Sequence, residues 1–217
     1  MPEGPAGRQL TAGAMLEAFG GVKGLLDSSL PATVFVLVRL IATLNTAIVA
    51  AVAVGLALVA LRRLRGESLQ QAMSGFFGLL LAVLISRSTG TGKGFFLPGI
   101  LITAGSGVLF ALSLLVRRPA VAVALSAFDA RYAVWPSHAA LRRACVISTA
   151  VWAVSFFVRA AVAGAVALSV GDRAGDNLLL LVVINAVKWP LILGSAFLTV
   201  TLVRRADVPA VEASAQP

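Results

Sequence analysis

Acids are scarce in this chain: 9 Asp and Glu stand against 18 Lys and Arg, with one His, one Tyr and one Cys in 217 residues. A single cysteine, Cys145, excludes an intrachain disulfide and any cysteine metal cluster, and reads as a small apolar core residue. The lone histidine, His138, lies in the polar connection WPSHAALRR and reads as a solvated loop residue rather than a metal ligand or base. No HExxH, Walker loop or GxSxG occurs, and the glycines of GTGKGFFLPG are too irregular for a phosphate loop. They read as a turn. Neither a metal site nor a cofactor is expected.

Charge is thin as well, at 12% of residues, whereas 59% are hydrophobic and the mean hydropathy is +0.96. Those values lie outside the range of soluble domains, so the fold class is an all-α polytopic membrane protein, with about six transmembrane helices in one bundle. The expected organisation is a disordered tail over 1–13, a single transmembrane domain over 14–205 and a second disordered tail over 206–217. Residues 1–29 carry Pro2, Glu3, Gly4, Pro5 and Glu17 where a signal peptide needs a basic start and an apolar run, so the first apolar helix reads as a retained anchor.

Along the chain, helical spacing from Ala14 to Leu26 predicts a short interfacial helix. The segment DSSLP then predicts the start of span 1, with Ser29 as N-cap, Asp27 just before the helix and Pro31 in its first turn. A turn is expected at Thr43, Asn45 and Thr46, followed by span 2 over 47–61. Two apolar runs, 69–86 and 95–116, form a hairpin bracketed by arginines, which gives spans 3 and 4. Residues 119–128 are apolar but too short to cross, so an interfacial or re-entrant segment is expected there. Spans 5 and 6 fall within 144–170 and about 178–203.

This threading puts Arg8, Lys23, Arg62, Arg63, Arg65, Arg117, Arg118, Arg131, Arg142, Arg143, Arg204 and Arg205 on one face, and Arg87, Lys93 and Arg173 on the other. Such asymmetry orients both termini to the cytoplasm of a bacterial inner membrane. The net charge of +9 is then topogenic, and no nucleic-acid partner is expected.

Three cations, Arg39, Arg159 and Lys188, fall inside spans, where each costs at least about 2.5 kcal/mol to insert. None of the acids does. Arg39 is close enough to the outer turn to reach the headgroups. Lys188 is some ten residues, about 15 Å, from either end of span 6, and with Asn185, Trp189 and Pro190 it marks a polar site inside the bundle. Gln70 and Gln71 cannot both face lipid. Asp27 and Glu67, at the inner ends of spans 1 and 3, read either as helix caps or as acids. The phenylalanine pairs at 76–77, 95–96 and 156–157 read as packing, and their π faces could stabilise a cation if one of each pair lined a cavity.

The segments GGVKGLLDSSLPATVFVL, ESLQQAMSGFFGLL and FFLPGIL together resemble a bacterial family of small integral membrane proteins, catalogued mainly as a domain of unknown function. The likeness covers about 14–203. Some relatives resemble membrane terpene cyclases of pathways that make prenylated indole diketopiperazines. The chain departs from the family pattern at Thr103, where Asn is expected, and at Lys188, where a small residue is expected, which suggests a specialised pocket. The resemblance implies a metal-independent isomerase of secondary (meroterpenoid) metabolism: a terpene cyclase that protonates and cyclises a prenyl side chain, for example farnesyl, on a lipid-soluble indole or diketopiperazine. Asp27 and Glu67 would be its catalytic acids. Gln70, Gln71, Phe76, Phe96, Trp152, Phe156, Arg159, Asn185, Lys188 and Trp189 would bind the substrate. A second reading, from the intramembrane cations and the lack of an intramembrane acid, is a non-catalytic permeation or envelope protein that binds anions or lipid headgroups.

Overall fold

A chain this apolar folds in a solvent that cannot hydrogen-bond its backbone, so the peptide groups must satisfy one another within each segment, and helix follows. The computed structural model describes residues 21–66 and 69–206, with side chains for 29–66, 76–129, 131–173 and 175–206. The described residues are helical, with no strand among them. In chain order the helices are α1 (Gly21–Ile41), α2 (Leu44–Leu64), α3 (Leu69–Thr89), α4 (Leu97–Leu115), α5 (Ala120–Phe128), α6 (Ala139–Ser169) and α7 (Ala174–Arg205). Short 3₁₀ turns at Lys93–Phe95 and Ala130–Val134 precede α4 and follow α5. Among the described residues four stretches are long and apolar enough to cross a bilayer: Leu44–Leu64, Lys93–Leu115, Ala139–Ser169 and Gly175–Arg205. They expose large apolar side chains such as Ile102, Leu109, Leu168 and Phe197. This is a membrane protein whose helices meet lipid. The expected tails, apart from Ala206, lie outside the described residues, as do residues 14–20 of the expected interfacial helix.

The first helix corrects the sequence reading. No break separates an interfacial helix from span 1: α1 runs unbroken from Gly21 through Asp27 and Ser29, and Pro31 lies in its interior. Neither Asp27 nor Ser29 therefore caps a helix. The proline leaves the Asp27 carbonyl, one turn earlier, without its usual donor. Thr33 Oγ1 donates to the carbonyl of Ser29 at 3.0 Å, one turn back. The next turn is also tighter than expected. Thr43 is the N-cap of α2, accepting the Thr46 amide at 3.3 Å, so Asn45 and Thr46 already belong to the helix.

Residues 120–128 do form a short element that cannot cross, since nine helical residues rise only about 14 Å. Its first amides are capped by side chains from elsewhere: Ala120 N–H donates to Ser113 Oγ at 3.0 Å, and Val121 N–H donates to Thr149 Oγ1 at 3.2 Å. The preceding helix, α4, closes with the amides of Arg117 and Arg118 on the carbonyls of Leu114 and Ser113, at 3.0 and 2.9 Å. That closure needs a left-handed residue, and Arg117 supplies it at φ 57°. A side chain in that region costs roughly 1–2 kcal/mol relative to glycine.

The described residues divide into two compact units. The first holds 21–104 and 159–188; in it α1 packs on α2 and α2 on α3, around a core that includes Phe35, Val36, Ile48, Phe95, Phe96 and Leu180. Gly55 permits the close approach of α2 to α3, because a methyl there would overlap the Leu79 side chain. The second holds 105–158 and 189–206, with a core that includes Val121, Leu125, Tyr132, Leu141, Cys145 and Val203. Cys145 is a buried free thiol, as expected of a small core residue. His138 is not simply solvated. It is half-buried, and its Nδ1 accepts the Leu141 amide at 3.2 Å, capping α6.

Tyr132, the single tyrosine, lies between α5 and α6 and is 7% exposed. Burial raises its pKa above 10.0, against an opposing pull from Arg131, whose guanidinium lies 5.2 Å from the ring centre. Burial favours the neutral phenol, so the stability it contributes is complete below pH 10 and is lost as pH rises through the folded value. With one tyrosine in the chain, an ultraviolet phenolate titration of the folded protein should show a midpoint above that of the detergent-unfolded chain. An equal or lower midpoint would refute the burial.

Candidate functional site

Several of the unusual side chains meet inside the first unit, around a cavity of about 370 Å³. That is within the roughly 300–1,000 Å³ of small-molecule pockets. Pro31 and Ala32 of α1 form one wall, and Gly78, Leu79 and Ala82 of α3 another. The turn before α4 supplies Phe95 and Phe96, and the first turns of α4 supply Pro98, Gly99, Ile100, Ile102 and Thr103. α6 adds Arg159, Ala160 and Ala163; α7 adds Ile184 and Lys188. Among the described residues the lining is mainly aliphatic and aromatic, with two cations and no acid.

The phenylalanine wall is rigid. Phe95 stacks on the fully buried Phe35, with ring centres 4.1 Å apart and planes at 9°, while Phe96 meets Phe95 edge-on at 5.7 Å. Such contacts contribute roughly 0.5–1.5 kcal/mol each beyond their buried area. The wall is positioned by the turn that carries it. The Asp172 carboxylate accepts the Gly92 and Lys93 amides through Oδ1, and its Oδ2 stands 3.9 Å from Arg39 Nη2. Arg39 also donates to the backbone carbonyl of Asp172, and Lys93 Nζ donates to that of Val170 at 3.3 Å. Gly94 is required in this turn, because a methyl would run into Thr89 Oγ1 and press on the backbone of Ser86 and Ile85.

Of the residues singled out from the sequence, the structure brings Phe96, Arg159 and Lys188 onto this one cavity, together with Thr103. The two positions that depart from the resembled pattern, Thr103 and Lys188, therefore share a pocket. The Thr103 hydroxyl donates to the Gly99 carbonyl at 2.7 Å. Phe76 packs against the first unit's core, and Asn185 Nδ2 donates to the Leu181 carbonyl of its own helix at 2.8 Å. Trp152 and Phe156 are in the second unit, clustered with Phe110; ring centres are 5.9 and 5.2 Å apart, and the Trp152 indole donates to Thr199 Oγ1 at 3.1 Å. Trp189 belongs to that unit too. The side chains of Asp27, Gln70 and Gln71, and Glu67 altogether, lie outside the described residues.

The sequence reading named Phe95 only as one of a pair of which one could line a cavity, and gave no site role to Pro31 or Asp172. For Asp172 a signal existed: it is an acid in a chain with few of them, in the loop that precedes the last helix. No group of three His, Cys, Asp or Glu side chains gathers among the described residues. Residues 19–210 match a family model described as "Protein of unknown function (DUF3159)". No curated protein and no solved structure matches the chain.

Asp172→Ala removes the acceptor of two amides and the partner of Arg39. It should lower unfolding stability in detergent by about 1–3 kcal/mol, more than Asp176→Ala, whose carboxylate accepts the single amide of Arg173. Equal midpoints for the two variants would show that the turn is held by something else.

Proposed function

We propose that this chain, which belongs to the family of unknown function whose model it matches over residues 19–210, is a membrane-embedded terpene cyclase. It takes the prenyl chain of a lipid-soluble substrate, such as a farnesylated indole or diketopiperazine, into the cavity of the first unit and closes rings after protonating an alkene. The observation that carries this reading is an apolar cavity walled by fixed phenylalanine rings, one of whose walls, Pro31, lies one helical turn after Asp27 on the continuous helix α1. An aromatic face stabilises a nearby cation. The capping role that competed with catalysis at Asp27 is gone, because the helix runs through that position and the dipole effect fades beyond the first turn. In this reading Asp27 or Glu67 donates the proton and the phenylalanine wall shelters the carbocation.

The membrane threading belongs to the same proposal. α1 and α3 have 21 residues each and rise about 31 Å, enough to cross beside the four longer or more apolar stretches. Six spans then put both termini, with the arginine-rich ends of the helices, in the cytoplasm of the bacterial inner membrane.

One observation favours a second, non-catalytic reading, in which the cavity holds an anion or a lipid headgroup. Arg159 and Lys188 line it. A carbocation about 8 Å from a fixed cation loses roughly 2 kcal/mol at an effective dielectric constant of 20. For a cyclase, those two side chains must face the electron-rich end of the substrate.

Membranes containing the protein, incubated with a farnesylated indole, should yield a cyclised isomer of unchanged mass. Asp27→Asn or Glu67→Gln should cut the rate by at least about 100-fold, the scale of general acid catalysis, while insertion and yield persist. Wild-type rates in both variants would remove these acids from the mechanism, and no product from the parent would leave the binding reading. Reporter fusions at Gly90 and Gly175 should read outside and one at Arg118 inside; a cytoplasmic signal at Gly90 would overturn the threading.

A further inference from the structure

The second unit carries a different hollow, of about 720 Å³, where α4 ends and α6 begins. Its walls include the aliphatic Leu114, Val146 and Ile147, and among the described residues its charged lining is three arginines, Arg117, Arg142 and Arg143, with no acid. Arg117, Trp135 and Pro136 also line a smaller hollow, which adds Arg118. We propose that this is a built site for the phosphate of an anionic membrane phospholipid, with the lipid chains lying along the exposed aliphatic surface beside it.

Topogenic arginines need only be on the right side of the membrane, and nothing in that role requires them to converge. Here they do, at helix ends, where the headgroup layer lies. Arg117 stands at φ 57°, a position that ordinarily selects glycine, and the chain nonetheless places an arginine on the hollow there. Arg142 is steadied by one of its five donors, with Nη1 to the Pro136 carbonyl at 3.4 Å. A nearby acid, Asp129, lies outside the hollow and is engaged by Arg131 Nε at 2.6 Å. Planar guanidinium forks match phosphate oxygens two at a time, a geometry that an ammonium cannot reproduce. The occupant must also be part apolar. Leu115 and Val116 are 77% and 67% exposed next to the arginines, and Trp135 has the amphipathic ring typical of the membrane interface. A soluble phosphate would leave that aliphatic surface uncovered, whereas a phospholipid covers it.

The test requires no enzymatic activity, so its outcome is separable from the cyclase reading. Protein purified in neutral detergent and mixed with equal amounts of phosphatidylglycerol and phosphatidylcholine should retain the anionic lipid preferentially in native mass spectra. The triple variant Arg117→Lys, Arg142→Lys, Arg143→Lys keeps every topogenic charge and so keeps the threading, but should retain phosphatidylglycerol roughly tenfold less well. Arg87→Lys with Arg173→Lys, at the opposite helix ends, should change nothing. Arg117→Gly guards against a folding artefact: glycine suits the backbone there, so the melting temperature should hold or rise while lipid retention falls. Equal retention of the two lipids, or a triple-lysine variant that binds like the parent, would overturn the site. Displacement of phosphatidylglycerol by millimolar inorganic phosphate would identify a soluble-anion site and overturn the lipid assignment.

Discussion

The Asp172 carboxylate is the contact on which the order of the first unit depends. It comes from the loop between α6 and α7, accepts two successive amides of the loop before α4 and faces the Arg39 guanidinium of α1. A carboxylate with two amides and a counter-ion fixes direction as well as distance, because each hydrogen bond is charge-assisted. The loop it holds becomes the 3₁₀ turn Lys93–Phe95, and the position of that turn places Phe95 against Phe35 and both phenylalanines on the cavity. One acid at a loop thereby organises an apolar wall.

Elsewhere six polar side chains within helices serve the backbone of their own helix. Thr33, Thr103, Thr149, Asn185, Thr199 and Thr201 each donate to the carbonyl four residues earlier in their own helix. In a medium without water this satisfies a hydroxyl or amide without a partner helix. Two of these residues also accept from elsewhere, Thr149 from Val121 and Thr199 from Trp152, which turns a local bond into a tertiary tie. Such groups do little for a ligand, so chemistry at the cavity falls to its charged and aromatic lining.

The membrane class, the placement of most helices and the shortness of 120–128 were legible because each depends on local composition and length. The reading of DSSLP as a helix start failed for a physical reason. Asp, Ser and Pro favour helix N-termini as a local preference, which packing overrides: here the helix runs through Pro31, and Phe35 and Val36 just after it are fully buried in the first unit's core. Lys188 was legible as an unusual residue because of its distance from both ends of its helix, and the structure puts it on the cavity lining. Trp152 and Phe156, equally prominent in the sequence, proved to pack with Phe110 in the other unit. Nothing in their spacing distinguishes an aromatic that lines a cavity from one that fills a core.

The sequence by itself determined that the chain lives in a bilayer, that its backbone is helical and where most of its helices break, since hydropathy, length and turn residues act over a few neighbours. The partners were decided by tertiary structure alone. Arg39 meets Asp172, 133 residues away, Arg159 and Lys188 share a cavity with Thr103 and Phe96, and Arg117 shares a hollow with Arg142 and Arg143. Those meetings depend on which helix faces pack together, a choice made by contacts between segments far apart in the chain. Helical periodicity repeats every 3.6 residues whichever neighbour a face finally meets.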